Sequence, residues 1–311
     1  MTETINPHEL FSLLRDELPS GVLKHVLVVG SLAAAYHYAE DLVGGGVKTK
    51  DADLVLYPAG HVIAAREIAM RLLGRGWRER RELLPGTAET PANELPAIRL
   101  YPPDHERYFV ELLMVSSGEA PGAKPWVRVE LPSGHYGLPG FEFLALTMID
   151  RQRSEVGVSY AHPAMMALAN LLSHRTLKSH IMSSPVGGRP VQRYAKDLGR
   201  VLALARLEAS EKLEEEWAQR WLFSLQECFP TRWPQLASTV GDGLKALVAH
   251  TDFEQAWHCC NVGLLAGKGV KEPQLQVIAS QVLEYVIKPV EDAGRAAQSS
   301  GGGGGRSGLR P

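Results

Sequence analysis

The amino-acid sequence predicts an α+β protein in which a small mixed β-sheet domain is followed by an all-helical domain. Short apolar runs bounded by glycine and proline alternate with amphipathic segments only in the first half of the chain. From about His162 onward, the apolar residues follow helical spacing alone. We therefore expect an α/β domain over residues 1–150, a helical domain over 151–296 and a disordered glycine-rich tail over 297–311.

The elements of the first domain follow from local patterns. The β-branched run that ends at Val29 stops at Gly30 and predicts a buried strand, and the alternation from Asp51 to Tyr57 predicts a second strand. Further apolar runs on either side of Pro102-Pro103-Asp104 predict two more. Strands are expected at 25–29, 51–57, 97–101 and 108–115, helices at 6–16, 31–38 and 62–73, and a loop or hairpin at 82–94.

The second domain is predicted to contain helices only. Its apolar residues, including Trp217, Trp221, Trp233 and Trp257, fall in long amphipathic segments, where they are expected to form packing contacts. The helices are expected at 163–177, 190–207, 211–227, 233–249, 253–265 and 272–290.

Composition excludes several classes of protein. The 311 residues carry 33 basic and 35 acidic side chains, so the formal net charge of -2 creates no overall attraction to nucleic acid or to an anionic membrane. Three cysteines are too few for a disulfide framework. The N-terminus lacks a signal-peptide pattern, and no apolar stretch approaches the ~20 residues that span a bilayer. We expect a cytoplasmic protein with no membrane partner.

Asp51 and Asp53 are the first candidate site residues. They lie two apart on a predicted strand, so both carboxylates project from the same face. Neighbouring carboxylates repel unless a cation lies between them, and such oxygen ligands suit Mg²⁺ together with substrate phosphates. Spacing alone also fits an exposed edge strand that presents its polar face.

Two further segments favour the metal-site interpretation. Gly30-Ser31 joins a strand to a helix, which offers close backbone approach, helix N-terminal amides and a hydroxyl to a phosphate. Glu111 is the single acid in an otherwise apolar strand, where burial is costly unless it is paired or bound to a metal. An outward-facing strand position is the alternative for Glu111.

Together, these segments resemble the nucleotidyltransferase superfamily that includes DNA polymerase beta. The resemblance covers residues 22–206, and its matching segments are Val28-Val29-Gly30-Ser31, Asp51-Ala52-Asp53-Leu54 and Val110-Glu111-Leu112. The segment Lys48-Thr49-Lys50-Asp51-Ala52-Asp53-Leu54 is especially similar to the Thr-x-Asp-x-Asp-Leu segment of the AbiEii-type family. Those proteins are nucleotidyltransferase toxins of bacterial toxin–antitoxin and abortive-infection systems. Tyr194-Ala195-Lys196-Asp197-Leu198 is similar to the Lys-Asp-Leu element of the same family.

The resemblance implies transfer of NMP from ATP or another NTP to an acceptor hydroxyl on tRNA or other RNA, or on a protein. It implies that Asp51, Asp53 and Glu111 hold Mg²⁺, with Glu111 either completing the shell of a second ion or acting as a base. Gly30 and Ser31 would hold phosphates, and Asp197 would orient a lysine or contact the nucleotide. The remaining nucleotide-binding candidates, which would neutralise the leaving pyrophosphate, are Lys48, Lys50 and Lys196.

Two departures from the family pattern keep other functions open. Asn170 stands where a helical lysine is expected, and the segment from Glu40 to Gly46 lengthens the gap between Gly30-Ser31 and Asp51. The alternatives are a catalytically degenerate nucleotidyltransferase fold that serves as an interaction module, and an antibiotic-type, small-molecule adenylyltransferase. If the chain is a toxin of this family, a cognate antitoxin is an expected partner.

Overall fold

The structure, a computed structural model, describes residues 4–49, 51–57, 61–79, 84–115 and 125–301. The chain is mixed α+β and divides into two compact units. The first comprises Met1–Met166 and Asn261–Lys268, and the second comprises Ala167–Cys260 and Gly269–Pro311. The first unit continues past residue 150, because a strand at Ser159–Tyr160 pairs within its sheet.

The first unit is built on a mixed sheet. The strands of this unit are β1 (Thr4–Ile5), β2 (Val26–Val29), β3 (Val47–Lys48), β4 (Asp51–Leu56), β5 (Arg78–Glu79), β6 (Arg99–Tyr101), β7 (Phe109–Val115), β8 (Trp126–Leu131), β9 (Gly134–Phe141), β10 (Gln152–Arg153) and β11 (Ser159–Tyr160). The strand order of the mixed sheet is β10-β11-β2-β4-β7-β6-β5. Strand β4 lies between β2, which is antiparallel to it, and β7, which is parallel to it. A hairpin of β8 and β9 joins β7 through β9, while β1 and β3 form a separate pair.

Helices accompany this sheet, and local capping explains the first of them. The Asn6 side chain accepts a hydrogen bond of 3.0 Å from the His8 amide, and Pro7 occupies the first helical turn. Leu10, Phe11 and Leu14 form the buried face of this helix. The helices are α1 (Pro7–Glu17), α2 (Ser20–Leu23), α3 (Gly30–His37) and α4 (His61–Gly74), with short 3-10 helices at Ala39–Asp41, Val43–Gly45, Ala92–Glu94 and Glu142–Met148.

The β8–β9 hairpin was not expected from the sequence. Strand β9 contains three glycines and a proline, which are residues that usually weaken or interrupt strands. A Cβ atom on Gly137 would clash with the ring of Trp126 on β8. The indole therefore covers the glycine, so this strand is specified by a partner strand rather than by its own propensity.

The described elements of the second unit are helical, apart from isolated β-bridges at Ile181–Gln192 and Val186–Arg189. Trp217 and Trp221 are both fully buried, with ring centroids 5.8 Å apart, and form part of its core. The helix expected at 233–249 is broken in two near Gly241, where a Cβ atom would clash with Ile287. The helices of this half are α5 (Pro163–Ser173), which begins in the first unit, α6 (Arg193–Leu207), α7 (Ser210–Cys228), α8 (Trp233–Ser238), α9 (Asp242–Val248), α10 (Phe253–Val262), α11 (Glu272–Gln281) and α12 (Lys288–Gly301), with a π-helical segment at Val282–Ile287.

The C-terminal segment departs from the sequence expectation at its start. Helix α12 continues to Gly301, past residue 297, where the tail was expected to begin. Residues 302–311, the rest of that predicted tail, lie outside the described residues. Within the described part of the chain, we find no helix with both the length and the apolar character needed to cross a bilayer.

Candidate functional site

Asp53 lies at the centre of a row of residues that crosses three strands. It is in register with Val29 on β2 and with Glu111 on β7. Neighbouring strands lie about 4.8 Å apart, and in-register partners project from the same face. The alternation predicted for β4 is present, because Ala52 and Leu54 are fully buried on the opposite face whereas Asp51 and Asp53 are only partly buried. Asp51, Asp53 and Glu111 therefore share one face of the sheet.

Gly30 packs directly against the Asp53 carboxylate. A Cβ atom built on Gly30 would lie 2.9 Å from Oδ2 of Asp53, which is closer than real Cβ contacts. Gly30 also has a φ of 75°, a left-handed conformation that side chains disfavour. The turn from β2 into α3 thus requires glycine both for its backbone conformation and for the space that it leaves beside the carboxylate.

Asp51 is oriented by Thr49, the residue two positions before it. The Thr49 hydroxyl donates a hydrogen bond of 2.6 Å to Oδ1 of Asp51, and Thr49 itself is 8% exposed. A buried hydroxyl that restrains one carboxylate oxygen fixes the direction of the other. Thr49 is therefore a positioning residue for the acidic pair.

Glu111 forms an ion pair with Arg99 of β6. The two residues are in register, and Nε and Nη2 of Arg99 donate hydrogen bonds of 3.2 and 3.0 Å to the same oxygen, Oε1. The Arg99 guanidinium also lies 5.2 Å from the centre of the Phe109 ring. The side chain of Glu111 is 14% exposed and that of Arg99 is 30% exposed, so the carboxylate is mostly shielded from water and the guanidinium only partly. The cost of burying this acid, which we inferred from the sequence, is offset at least in part by an arginine.

The other predicted site residues of the first unit are Ser31, Lys48 and Lys50. Ser31 is in the first turn of α3, beside Gly30, and is partly buried. Lys48 is exposed on β3, where it pairs with Thr4 in the separate two-stranded sheet. Lys50 lies outside the described residues. Gly30, Asp51, Asp53 and Glu111 are thus the predicted residues that strand pairing and close contact bring together.

Lys196 and Asp197 belong to α6 in the second unit. Oδ2 of Asp197 is 2.9 Å from His174 Nε2 and 3.0 Å from Arg193 Nε, and its Oδ1 is 3.9 Å from Arg200. Burial would raise the pKa of the Asp197 carboxyl, but the hydrogen bond with His174 and the charges of Arg193 and Arg200 together hold that pKa well below its ordinary value. Asp197 is therefore a buried anion enclosed by basic groups.

The donor set at Asp51 and Asp53 suits Mg²⁺, which prefers carboxylate oxygens and retains open positions for phosphates and water. Oδ2 of Asp53 packs directly against the buried Gly30, so the carboxylate lies at the turn that begins α3. Among the described residues, no group of three or more histidine, cysteine, aspartate or glutamate side chains is arranged to hold a metal ion. A three-carboxylate centre therefore stays a prediction.

Sequence reasoning missed Thr49, Arg99 and the residues around Asp197. Thr49 was in the quoted motif and needed only the observation that a hydroxyl two residues before an aspartate can hydrogen-bond to it. The spacing of Arg193 and Arg200 from Asp197, at four and three residues along a helix, was also a readable signal. Arg99 had no comparable signal, because its contact with Glu111 depends on the register of β6 on β7.

Comparisons with known proteins do not assign the chain to a family. No family model, no curated protein and no solved structure matches it. The interpretation of the site therefore depends on its own geometry.

Proposed function

We propose that this chain is a magnesium-dependent enzyme of nucleotidyltransferase fold that transfers NMP from an NTP to an acceptor hydroxyl. The observation that carries the proposal is the position of Asp53, which lies in register with Glu111 and against Gly30 at the start of a helix. The proposal is supported by this proximity, because Asp53 would serve as a metal ligand and the turn at Gly30 would bind phosphate. Neither feature alone would favour phosphoryl chemistry over an ordinary strand-to-helix connection.

Each candidate residue of the site would have a distinct role in this reaction. Asp51, oriented by Thr49, and Asp53 would hold Mg²⁺. When bound, the ion would neutralise triphosphate charge and lower the pKa of the acceptor hydroxyl. The first amides of α3 and the Ser31 hydroxyl would bind phosphate oxygens, because a helix N-terminus favours anions. Glu111 would accept the proton of the hydroxyl.

The proposed acceptor is tRNA or other RNA, or a protein. A role as the toxin of a toxin–antitoxin or phage-defence system, with a cognate antitoxin and a cytoplasmic location, is part of the same proposal and follows from the sequence resemblance. Lys48, Lys50 and Lys196 remain predicted contacts for the leaving pyrophosphate.

The test is label transfer from each of the four α-labelled NTPs, with Mg²⁺ and either total RNA or total cell protein. The wild-type chain is expected to label one acceptor pool, and Asp53→Asn is expected to lower this labelling at least about 100-fold, because it removes a metal-binding charge. Asp41→Asn is the matched control, since Asp41 is an exposed aspartate of the same unit. Labelling that Asp53→Asn leaves intact would refute the assignment of the site.

The ion pair between Arg99 and Glu111 favours a second candidate, a catalytically degenerate interaction module, because it occupies one of the three predicted metal ligands. Such a module would bind Mg-NTP or a protein partner without transferring label. Nucleotide binding that depends on Asp53, combined with no transfer to RNA, protein or small-molecule hydroxyl acceptors, would favour the module over the enzyme. Transfer to an antibiotic-type small molecule alone would favour a small-molecule adenylyltransferase.

A further inference from the structure

Arg99 is a basic residue in direct contact with the acidic row, which is the name we give to Asp51, Asp53 and Glu111 on one face of the sheet. Its position on β6 is in register with Glu111, and both of its hydrogen-bond donors meet Oε1. Because Phe109 is two residues before Glu111 on β7, its ring lies on the same face and contacts the guanidinium. The guanidinium is therefore restrained both by the acid and by the ring.

This contact changes the charge that a metal would meet. Asp51, Asp53 and Glu111 would together present three negative charges on one face of the sheet, and an arginine side chain remains protonated at any physiological pH. A second divalent ion at Glu111 would have to replace or repel this guanidinium. An ion that bound Oε1 of Glu111 would also have to displace the two hydrogen bonds that Arg99 donates to that oxygen.

We propose that the Arg99 guanidinium takes the place of a second metal ion at Glu111, so that the centre binds a single Mg²⁺ through Asp51 and Asp53. This inference rests on the proposed function and specifies its metal content. The guanidinium supplies a fixed positive charge that keeps Glu111 beside the aspartates without repulsion. Arg99 is thus a positioning residue, and Glu111 is not a ligand to the metal.

The test measures the number of metal ions bound per chain and does not depend on enzymatic turnover. Mn²⁺ replaces Mg²⁺, and the ions held per chain are measured by equilibrium dialysis and electron paramagnetic resonance with a saturating, non-hydrolysable NTP analogue. The wild-type chain is expected to hold one Mn²⁺. Arg99→Gln is expected to hold two, because Glu111 is then released toward a second ion, and the double variant Arg99→Gln with Glu111→Gln is expected to return to one.

Arg151→Gln is the matched control. Arg151 also lies over an aromatic ring of the first unit, 4.8 Å from the centre of Tyr57, and no described contact joins it to the acidic row. It is expected to hold one Mn²⁺, as the wild type does. Glu111→Gln alone provides a readout that does not require Arg99→Gln to fold. It is expected to keep one ion, whereas a two-metal centre would fall from two ions to one.

Two Mn²⁺ ions in the wild-type chain would overturn the inference, and so would a folded Arg99→Gln chain that still holds one. Both results would leave the proposed function standing. A wild-type chain that binds no Mn²⁺ with the nucleotide, or binding that Asp53→Asn does not weaken, would instead overturn the proposed function and the inference together. The two failures are therefore distinguishable in one set of measurements.

Discussion

Replacement of Gly30 by alanine gives the sharpest test of the turn that supports Asp53. The new Cβ atom would lie 2.9 Å from Oδ2 of Asp53, whereas non-bonded heavy atoms settle at about 3.5 Å or more. The carboxylate would therefore have to move by roughly half an ångström or more. The φ of 75° at this position adds about 1–2 kcal/mol of backbone strain for any residue with a side chain.

These two effects are separable, because Gly44 provides a matched control. Gly44 has a φ of 77°, nearly the same as Gly30, but a Cβ atom there would meet nothing within 4 Å. Both alanine variants are expected to lose about 1–2 kcal/mol of unfolding free energy in urea. Only Gly30→Ala is expected to weaken Mn²⁺–nucleotide binding and label transfer, by about 10-fold or more, because a misplacement of about 1 Å can cost about 100-fold in rate and the shift expected here is about half of that.

The measurements are urea unfolding followed by circular dichroism, Mn²⁺ titration with the non-hydrolysable analogue, and label transfer. Equal losses of metal binding in Gly30→Ala and Gly44→Ala would show that backbone strain alone accounts for the effect. Wild-type metal binding in Gly30→Ala would show that the contact with Asp53 is irrelevant to the site. Either result would refute the reasoning that makes Gly30 part of the centre.

Two further predictions concern buried hydrogen bonds to carboxylates. Thr49→Val keeps the shape of the side chain but removes the donor to Asp51, so Mn²⁺ affinity is expected to fall about 10–100-fold with little change in circular dichroism; unchanged affinity would exclude an orienting role. Asp197→Asn is expected to lower the unfolding free energy by about 1–3 kcal/mol at pH 7, because the charge-assisted hydrogen bond from Arg193 and the attraction to Arg200 are lost. Since the folded-state pKa of Asp197 is held below its ordinary value, its charge stabilises the native state above about pH 4, and that contribution is lost as the pH falls. Urea titrations from pH 7 to pH 3 should therefore show a steeper loss in the wild type than in Asp197→Asn, and parallel curves would contradict the prediction.

Local pattern was sufficient to predict β4. The alternation from Asp51 to Leu56 depends only on the period of a strand, and the structure buries Ala52, Leu54 and Leu56 as that period requires. The same is true of the turn at Gly30, where an apolar strand ends and an alanine-rich helix begins. A sequence signal of this kind is local, so it does not depend on how distant strands pair.

Contacts that depend on distant pairing could not be predicted in the same way. Arg99 reaches Glu111 only because β6 is antiparallel to β7 in one particular register, and a shift by one residue would place the guanidinium on the other face. The β9 strand is likewise specified by Trp126 over Gly137 and not by its own residues. The sequence thus indicated that Asp51 and Asp53 share a face, but not that Glu111 lies in register with Asp53 or that Arg99 accompanies it.

The position of β4 between β2 and β7 also bears on how the acidic row forms during folding. The pairing of Val29 with Asp53 closes a short stretch of chain, whereas the pairing of Asp53 with Glu111 closes a much longer one. Loop-closure entropy rises with the length of chain enclosed, and such non-local parallel pairing slows folding. We therefore expect the turn that supports Asp53 to form first, with Glu111 arriving when β7 docks, so that the acidic row is completed only after that turn is in place.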